Sequence, residues 1–189
     1  MTRPLTPSEQ NLLLQIARQA LENAVCGKPL PELNLAELPE ALQELGASFV
    51  TLTIDGRLRG CIGTLDPYQP LARDVQEHAV AAGLQDFRFP RVTPDELPRI
   101  EIEVSALTPR KPLKYTSPEA LVAQLRPKVD GVILQDVFKK ATFLPQVWEK
   151  LPEPEEFLTH LCLKMGSPGD LWRKKHLDVY TYQVQEFHE

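Results

Sequence analysis

The sequence predicts a mixed α/β (α+β) fold, and three observations carry the prediction. Amphipathic helical patterns alternate with strand-like runs along the chain. Asp55-Gly56 stands between two alternating runs, the strongest short-range signal of a β-hairpin. A length of 189 residues with 42% hydrophobic content suffices for one large domain or two small lobes around a real core. The spacing does not give strand order.

The first helix opens on Thr6-Pro7-Ser8-Glu9, where Thr6 caps, Pro7 takes the first helical position and Glu9 completes a capping box. Leu13, Ile16, Ala17, Ala20, Leu21 and Ala24 form its apolar stripe, and Gly27 ends it. Cys26, in its last turn, reads as a small buried hydrophobe. A short helix spans about Pro39 to Leu45, closed by Gly46, and Ser48–Ile54 reads as a strand. A second long helix runs from about Pro70 to Ala82 and stops at Gly83. Thr93-Pro94-Asp95-Glu96 caps a helical turn, and Ile100–Ala106 alternates as a half-exposed strand. In that strand Glu101 and Glu103 read as a solvated face, with paired carboxylates as the alternative.

Ser117-Pro118-Glu119 starts a helix through Leu125, followed by short strands at Val132–Gln135 and about Ala141–Leu144. Pro154-Glu155-Glu156 starts a further helix with acids in its first turn. Its stripe is Phe157, Leu158, Leu161, Cys162 and Met165, and Gly166 ends it. A strand from Val179 to Phe187 closes the chain.

Composition excludes several function classes. The net charge is −5, which argues against a general nucleic-acid binder. A local basic patch around Arg126, Lys128, Lys139 and Lys140 competes with a solvated strand end. No run of about 18 apolar residues exists, so no membrane span is expected. Met1-Thr2-Arg3-Pro4 leads into a helix without a secretory leader, and the chain reads as cytoplasmic. Cys26, Cys61 and Cys162 are scattered, with no CxxC and no zinc spacing, so no metal is expected and free thiols are. The 18 prolines punctuate a compact fold and form no linker. No cofactor is indicated.

The chemistry concentrates in Asp55-Gly56-Arg57-Leu58-Arg59-Gly60-Cys61-Ile62-Gly63-Thr64. Simple alternation puts Arg59 and Cys61 on one face, about 7 Å apart, and turns Leu58 and Ile62 toward a core. A regular two-residue hairpin would also set Ile54, Leu52 and Val50 on the Arg59–Cys61 face. Either that face lines a covered cleft or a bulge shifts the register, and Gly60 and Gly63 favour a bulge or a close backbone approach. His78 lies near the apolar stripe of the second long helix, as a packed histidine or a ligand. In Asp86-Phe87-Arg88-Phe89-Pro90, either an ion pair holds a loop that buries both phenylalanines or Arg88 clamps an anion.

Several stretches together resemble the AMMECR domain family. They are Leu58-Arg59-Gly60-Cys61-Ile62-Gly63-Thr64, Asp86-Phe87-Arg88-Phe89-Pro90, Glu101-Ile102-Glu103-Val104-Ser105, Ala141-Thr142-Phe143-Leu144-Pro145-Gln146-Val147-Trp148, and Glu156-Phe157-Leu158 through Cys162-Leu163-Lys164-Met165-Gly166. The resemblance covers nearly the whole chain, in order. It implies a single domain over residues 1–189 with two unequal lobes and a cleft between them. The larger lobe would come from both chain ends and the smaller from middle segments. It also implies the company of a Memo-like protein and a radical S-adenosylmethionine (SAM) protein. Ala81-Ala82-Gly83-Leu84 departs from the pattern, where a bulkier aromatic is usual.

Two functions follow as expectations. In the first, a thiol-dependent enzyme or enzyme subunit uses Cys61 as nucleophile or redox thiol. Arg59 lowers its pKa or binds an anionic substrate, Arg88 assists, and His78 is the one histidine on an adjacent element that could be a base. In the second, a non-catalytic adaptor holds a small anionic ligand or a partner's acidic segment with Arg59 and Arg88. Asp86, Gly60 and Gly63 complete the candidate binding set.

Overall fold

The computed structural model describes residues 3–189, which divide into two compact units. The first takes the chain up to Thr108 together with Gln185–Glu189. It opens with helix α1 (Pro7–Val25), started by the capping box expected of Thr6 and Glu9. Gly27 follows in the left-handed region, at φ +68°. Cys26 is exposed in that last turn, against the buried position expected of it. A single turn α2 (Glu40–Gln43) gives way to β1 (Leu45–Ile54). Gly46 therefore lies inside a strand and closes no helix: a Cβ there would sit 2.7 Å from the Leu71 side chain.

The hairpin partner is β2 (Arg57–Gly63), and a two-residue strand β3 (Gln69–Pro70) leads into α3 (Leu71–Leu84). Gly83, expected to end α3, lies inside it and serves packing instead: a Cβ there would stand 2.4 Å from the Leu21 side chain of α1. A capped 3₁₀ turn at Pro94–Arg99 precedes β4 (Ile100–Leu107).

The second unit, Pro109–Val184, holds β5 (Lys111–Pro112), α4 (Pro118–Gln124), β6 (Gly131–Asp136), β7 (Lys139–Phe143), α5 (Pro154–Lys164), α6 (Leu171–Lys174) and β8 (Asp178–Tyr182). The chain then enters β9 (Val184–His188). The single closing strand expected at Val179–Phe187 is thus two strands, and they belong to different sheets. In the first unit the strand order is β2-β1-β4-β9, with β3 also pairing β1; in the second it is β5-β8-β6-β7.

Each unit has its own core. In the first, α1 and α3 pack Leu13, Ala17, Leu21, Leu71, Val75 and Ala79 against Val50, Leu52, Ile102 and Val104. Even-numbered residues of β1 and β4 therefore face the helices and odd-numbered ones face away. In the second, Trp148 is fully buried, stacks on Phe157 at 3.7 Å, and donates its indole N–H to the Asp130 carbonyl at 2.7 Å. Cys162 is fully buried beside them. Among the described residues no helix is long and apolar enough to cross a membrane.

Candidate functional site

The site is built on the β1–β2 hairpin. Asp55 and Gly56 both adopt positive φ, 52° and 71°, as a tight two-residue turn requires. Pairing runs Ile54 with Arg57 and Thr53 with Leu58, then shifts, so that Leu52 meets Gly60, Thr51 meets Cys61 and Val50 meets Ile62. Arg59 is the extra residue of a β-bulge. Of the two arrangements left open by the sequence, the bulge is the one adopted. It keeps Ile62 with Val50 against the core and sets Cys61 beside Thr51 on the face turned from the helices. Leu58 is corrected: the shift moves it to the face of Thr53, and it is 45% exposed.

The glycines on either side of Cys61 serve packing. A Cβ on Gly60 would lie 2.1 Å from the Ala82 carbonyl oxygen of α3, and one on Gly63 would lie 2.3 Å from the Ser48 carbonyl oxygen.

β2 is an edge strand, which ordinarily leaves outward N–H and C=O groups unpaired. At Cys61 both are occupied by side chains. The Cys61 N–H donates to Asp86 Oδ2 at 2.9 Å, and Arg88 Nη2 donates to the Cys61 carbonyl at 3.0 Å. Arg88 also binds Asp86 through Nε (2.9 Å), Nη2 (2.7 Å) and its own backbone N–H (3.1 Å). The Arg88 guanidinium, aided by the Cys61 and Arg88 amides, holds the buried Asp86 carboxyl well below the usual carboxylate range. The ion-pair reading of this segment is what the structure shows, but with Phe87 outside: it is 94% exposed, while Phe89 is half-buried with the Arg88 guanidinium 5.5 Å from its ring centroid.

Arg59 is also committed. Its Nε and Nη2 donate to the two Glu96 oxygens at 2.7 and 3.0 Å, and Nη1 donates to the Pro90 carbonyl at 2.8 Å. Arg59, with the Thr93 amide, holds Glu96 down to about 2.

His78 is buried, and its Nδ1 lies 3.1 Å from Asp74 Oδ2, which also accepts from Ser48 Oγ at 2.6 Å. Ser48 is on the helix-facing side of β1. His78 and Cys61 therefore occupy opposite sides of the sheet, and the base role expected of His78 does not fit this geometry. Its packed reading does.

Cys61 is half-buried, and Thr51 Oγ1 donates to its sulfur at 3.3 Å. Thr51 is in turn paired with Glu103 of β4, giving a cross-strand row of Cys61, Thr51 and Glu103 on the face turned from the helices. Burial, then the charge of Glu186, raises the Glu103 carboxyl above its ordinary value. Sequence reasoning missed Thr51, and it found Glu103 only as a solvated strand face or a paired carboxylate; only the bulged register brings Cys61 level with them. No group of three or more His, Cys, Asp or Glu suited to a metal occurs among the described residues.

Comparison with known proteins agrees over almost the full chain. The AMMECR1 family model matches residues 14–187. A protein of Methanothermobacter thermautotrophicus is 40% identical, covering 98% of this chain and 97% of that one. Protein MJ0810 of Methanocaldococcus jannaschii is 36% identical, covering 99% and 93%. The crystal structure of the uncharacterized protein PH0010 from Pyrococcus horikoshii superposes with a TM-score of 0.87 at 31% identity, over 98% of this chain and 93% of that one. Matched by the family model over residues 14–187 and by these relatives over nearly its whole length, the chain belongs to the AMMECR1 family.

Proposed function

We propose that the protein is a cytoplasmic, thiol-bearing enzyme or enzyme subunit of the kind called AmmeMemoRadiSam system protein A, acting through Cys61 beside a Memo-like protein and a radical SAM protein. One observation carries the reading: the Cys61 backbone is held from outside the sheet by Asp86 and Arg88 while its half-buried sulfur accepts from Thr51. A group fixed at its amide, carbonyl and side chain is preorganised for reaction. Thr51 orients the sulfur, and Glu103, its carboxyl raised by burial, stands next to Thr51 in the same cross-strand row as the candidate proton carrier. Asp86 and Arg88 act as positioning residues.

The test is alkylation of the folded protein by iodoacetamide, with Cys26 changed to Ser. Cys61 is expected to label in the native state and Cys162 only after unfolding, and Thr51→Val should change the Cys61 rate without changing the melting temperature. Labelling of Cys61 only on unfolding would overturn the reading.

A second reading, a binding or adaptor subunit, is favoured by Phe87, which stands 94% exposed between the two residues that grip Cys61. Its arginine-held anion loses support, because Arg59 and Arg88 already hold Glu96 and Asp86. Loss of partner binding in Phe87→Ser, with Cys61→Ser still binding and functional, would select it.

A further inference from the structure

A second site lies wholly within Pro109–Val184. A cavity of about 410 Å³, within the range of ligand sites, is lined by Pro112, Lys114, Tyr115, His176, Asp178 and Tyr180 among others. Its floor is rigid. The Tyr115 hydroxyl accepts from the Leu177 N–H at 2.8 Å and donates to the Leu177 carbonyl at 3.0 Å, so the phenol ring is fixed at both hydrogen-bonding valences. The exposed imidazole of His176 lies on that ring, with centroids 4.3 Å apart and planes 23° from parallel. One face of the imidazole is spent on Tyr115 and the other is left as a stacking platform. Tyr180 supplies a second ring, with the Arg110 guanidinium 5.3 Å from its centroid.

The charges at the cavity are unspent. Lys114 and Asp178 have no ion-pair partner among the described residues, whereas Arg126, Arg173, Lys174 and Lys175 each hold a carboxylate. Pro109–Val184 carries twelve Lys and Arg against nine Asp and Glu, while the whole chain carries 21 against 26. A bare anion would need no aromatic platform, and an uncharged ring would need no unpaired ammonium.

We propose that this cavity binds a nucleoside 5′-phosphate unit. The base stacks on His176, Lys114 meets the phosphate, and the Asp178 carboxylate accepts from the ribose hydroxyls. The unit can be a free nucleotide or part of a single strand, since both present the same base, ribose and phosphate.

The test titrates the full chain with AMP, ribose 5-phosphate and a six-nucleotide oligoadenylate, followed by calorimetry and by the His176 ring resonances. AMP or the oligonucleotide is expected to bind at least about ten-fold more tightly than ribose 5-phosphate, as one stacked base contributes. AMP binding as well as the oligonucleotide identifies a free nucleotide; binding of the oligonucleotide alone identifies a single strand. His176→Ala should weaken binding roughly ten-fold with an unchanged melting temperature. Lys114→Gln should weaken it and flatten its salt dependence. Ribose 5-phosphate binding as well as AMP, no binding of any probe, or binding indifferent to both substitutions would overturn the proposal.

Discussion

The amide of Cys61 and the carboxylate of Asp86 meet at 2.9 Å on the outer edge of β2, where another strand would otherwise dock. Asp86 supplies the acceptor and Arg88 the donor that a neighbouring strand would present. The same contact closes the sheet edge and fixes the candidate nucleophile.

Asp86→Ala removes that acceptor and leaves the Cys61 amide without its partner. The expected loss is about 2–3 kcal/mol in chemical denaturation. Native alkylation of Cys61 should also become faster and less uniform. A variant as stable as the wild type would show that water replaces Asp86 without cost.

Acid should act through Asp86 and Glu96. Both carboxyls are lowered in the folded state, Glu96 to about 2 from an ordinary 4.5. A lowered carboxyl contributes stability that is complete above its unfolded pKa and declines as pH falls toward the folded one. Stability measured from pH 6 to pH 2 should therefore fall below about pH 4.5. In Arg59→Leu the share of that fall due to Glu96 should shrink, since only Thr93 would still hold its carboxyl down, and the variant should be less stable at pH 7 by about 1–3 kcal/mol. An unaltered acid limb in Arg59→Leu would contradict the assignment.

Gly60→Ala must push the Ala82 carbonyl of α3 aside, since its Cβ would stand 2.1 Å away. A loss of about 2–4 kcal/mol is expected. Gly27→Ala meets nothing within 4 Å and carries only the strain of φ +68°, about 1 kcal/mol. Thermal melts that ranked the two in the other order would refute the close-approach account.

The β6–β7 turn should be improvable. Val137 is β-branched yet sits at φ +50°, and it and Phe138 are 69% and 99% exposed. Only Val137, the first of the two turn residues, has positive φ, so replacing Val137-Phe138 by Gly-Asn should stabilise the protein by about 1–2 kcal/mol, read as a higher melting temperature. A lower melting temperature would mean that these side chains contribute packing where they stand.

Local rules were legible in the sequence. The capping boxes at Thr6 and Thr93, the Asp55-Gly56 turn and the buried stripe of α5 all depend on neighbours a few residues apart. The site was legible in part. Cys61, Arg59, Asp86 and Arg88 do converge on one strand edge, but their partners are set by non-local geometry. Arg59 finds Glu96 from 37 positions away, and a one-residue bulge decides that Thr51 and Glu103 join Cys61 while His78 does not. Cys26 shows the same limit: residue type alone makes it a small buried hydrophobe, but in the last turn of α1 it is exposed.

The split of residues 178–188 between two sheets sets an order of assembly. β9 flanks β4, Glu189 pairs with Arg18 of α1, and its carboxylate accepts from the Ile102 amide at 3.2 Å. These residues follow all of Pro109–Val184 in the chain. In refolding, the middle of the chain can therefore close its core before the last residues dock, while the other unit still waits with β4 uncovered. A purified chain truncated after Val184 should be protease-resistant in the later unit and sensitive in the earlier one.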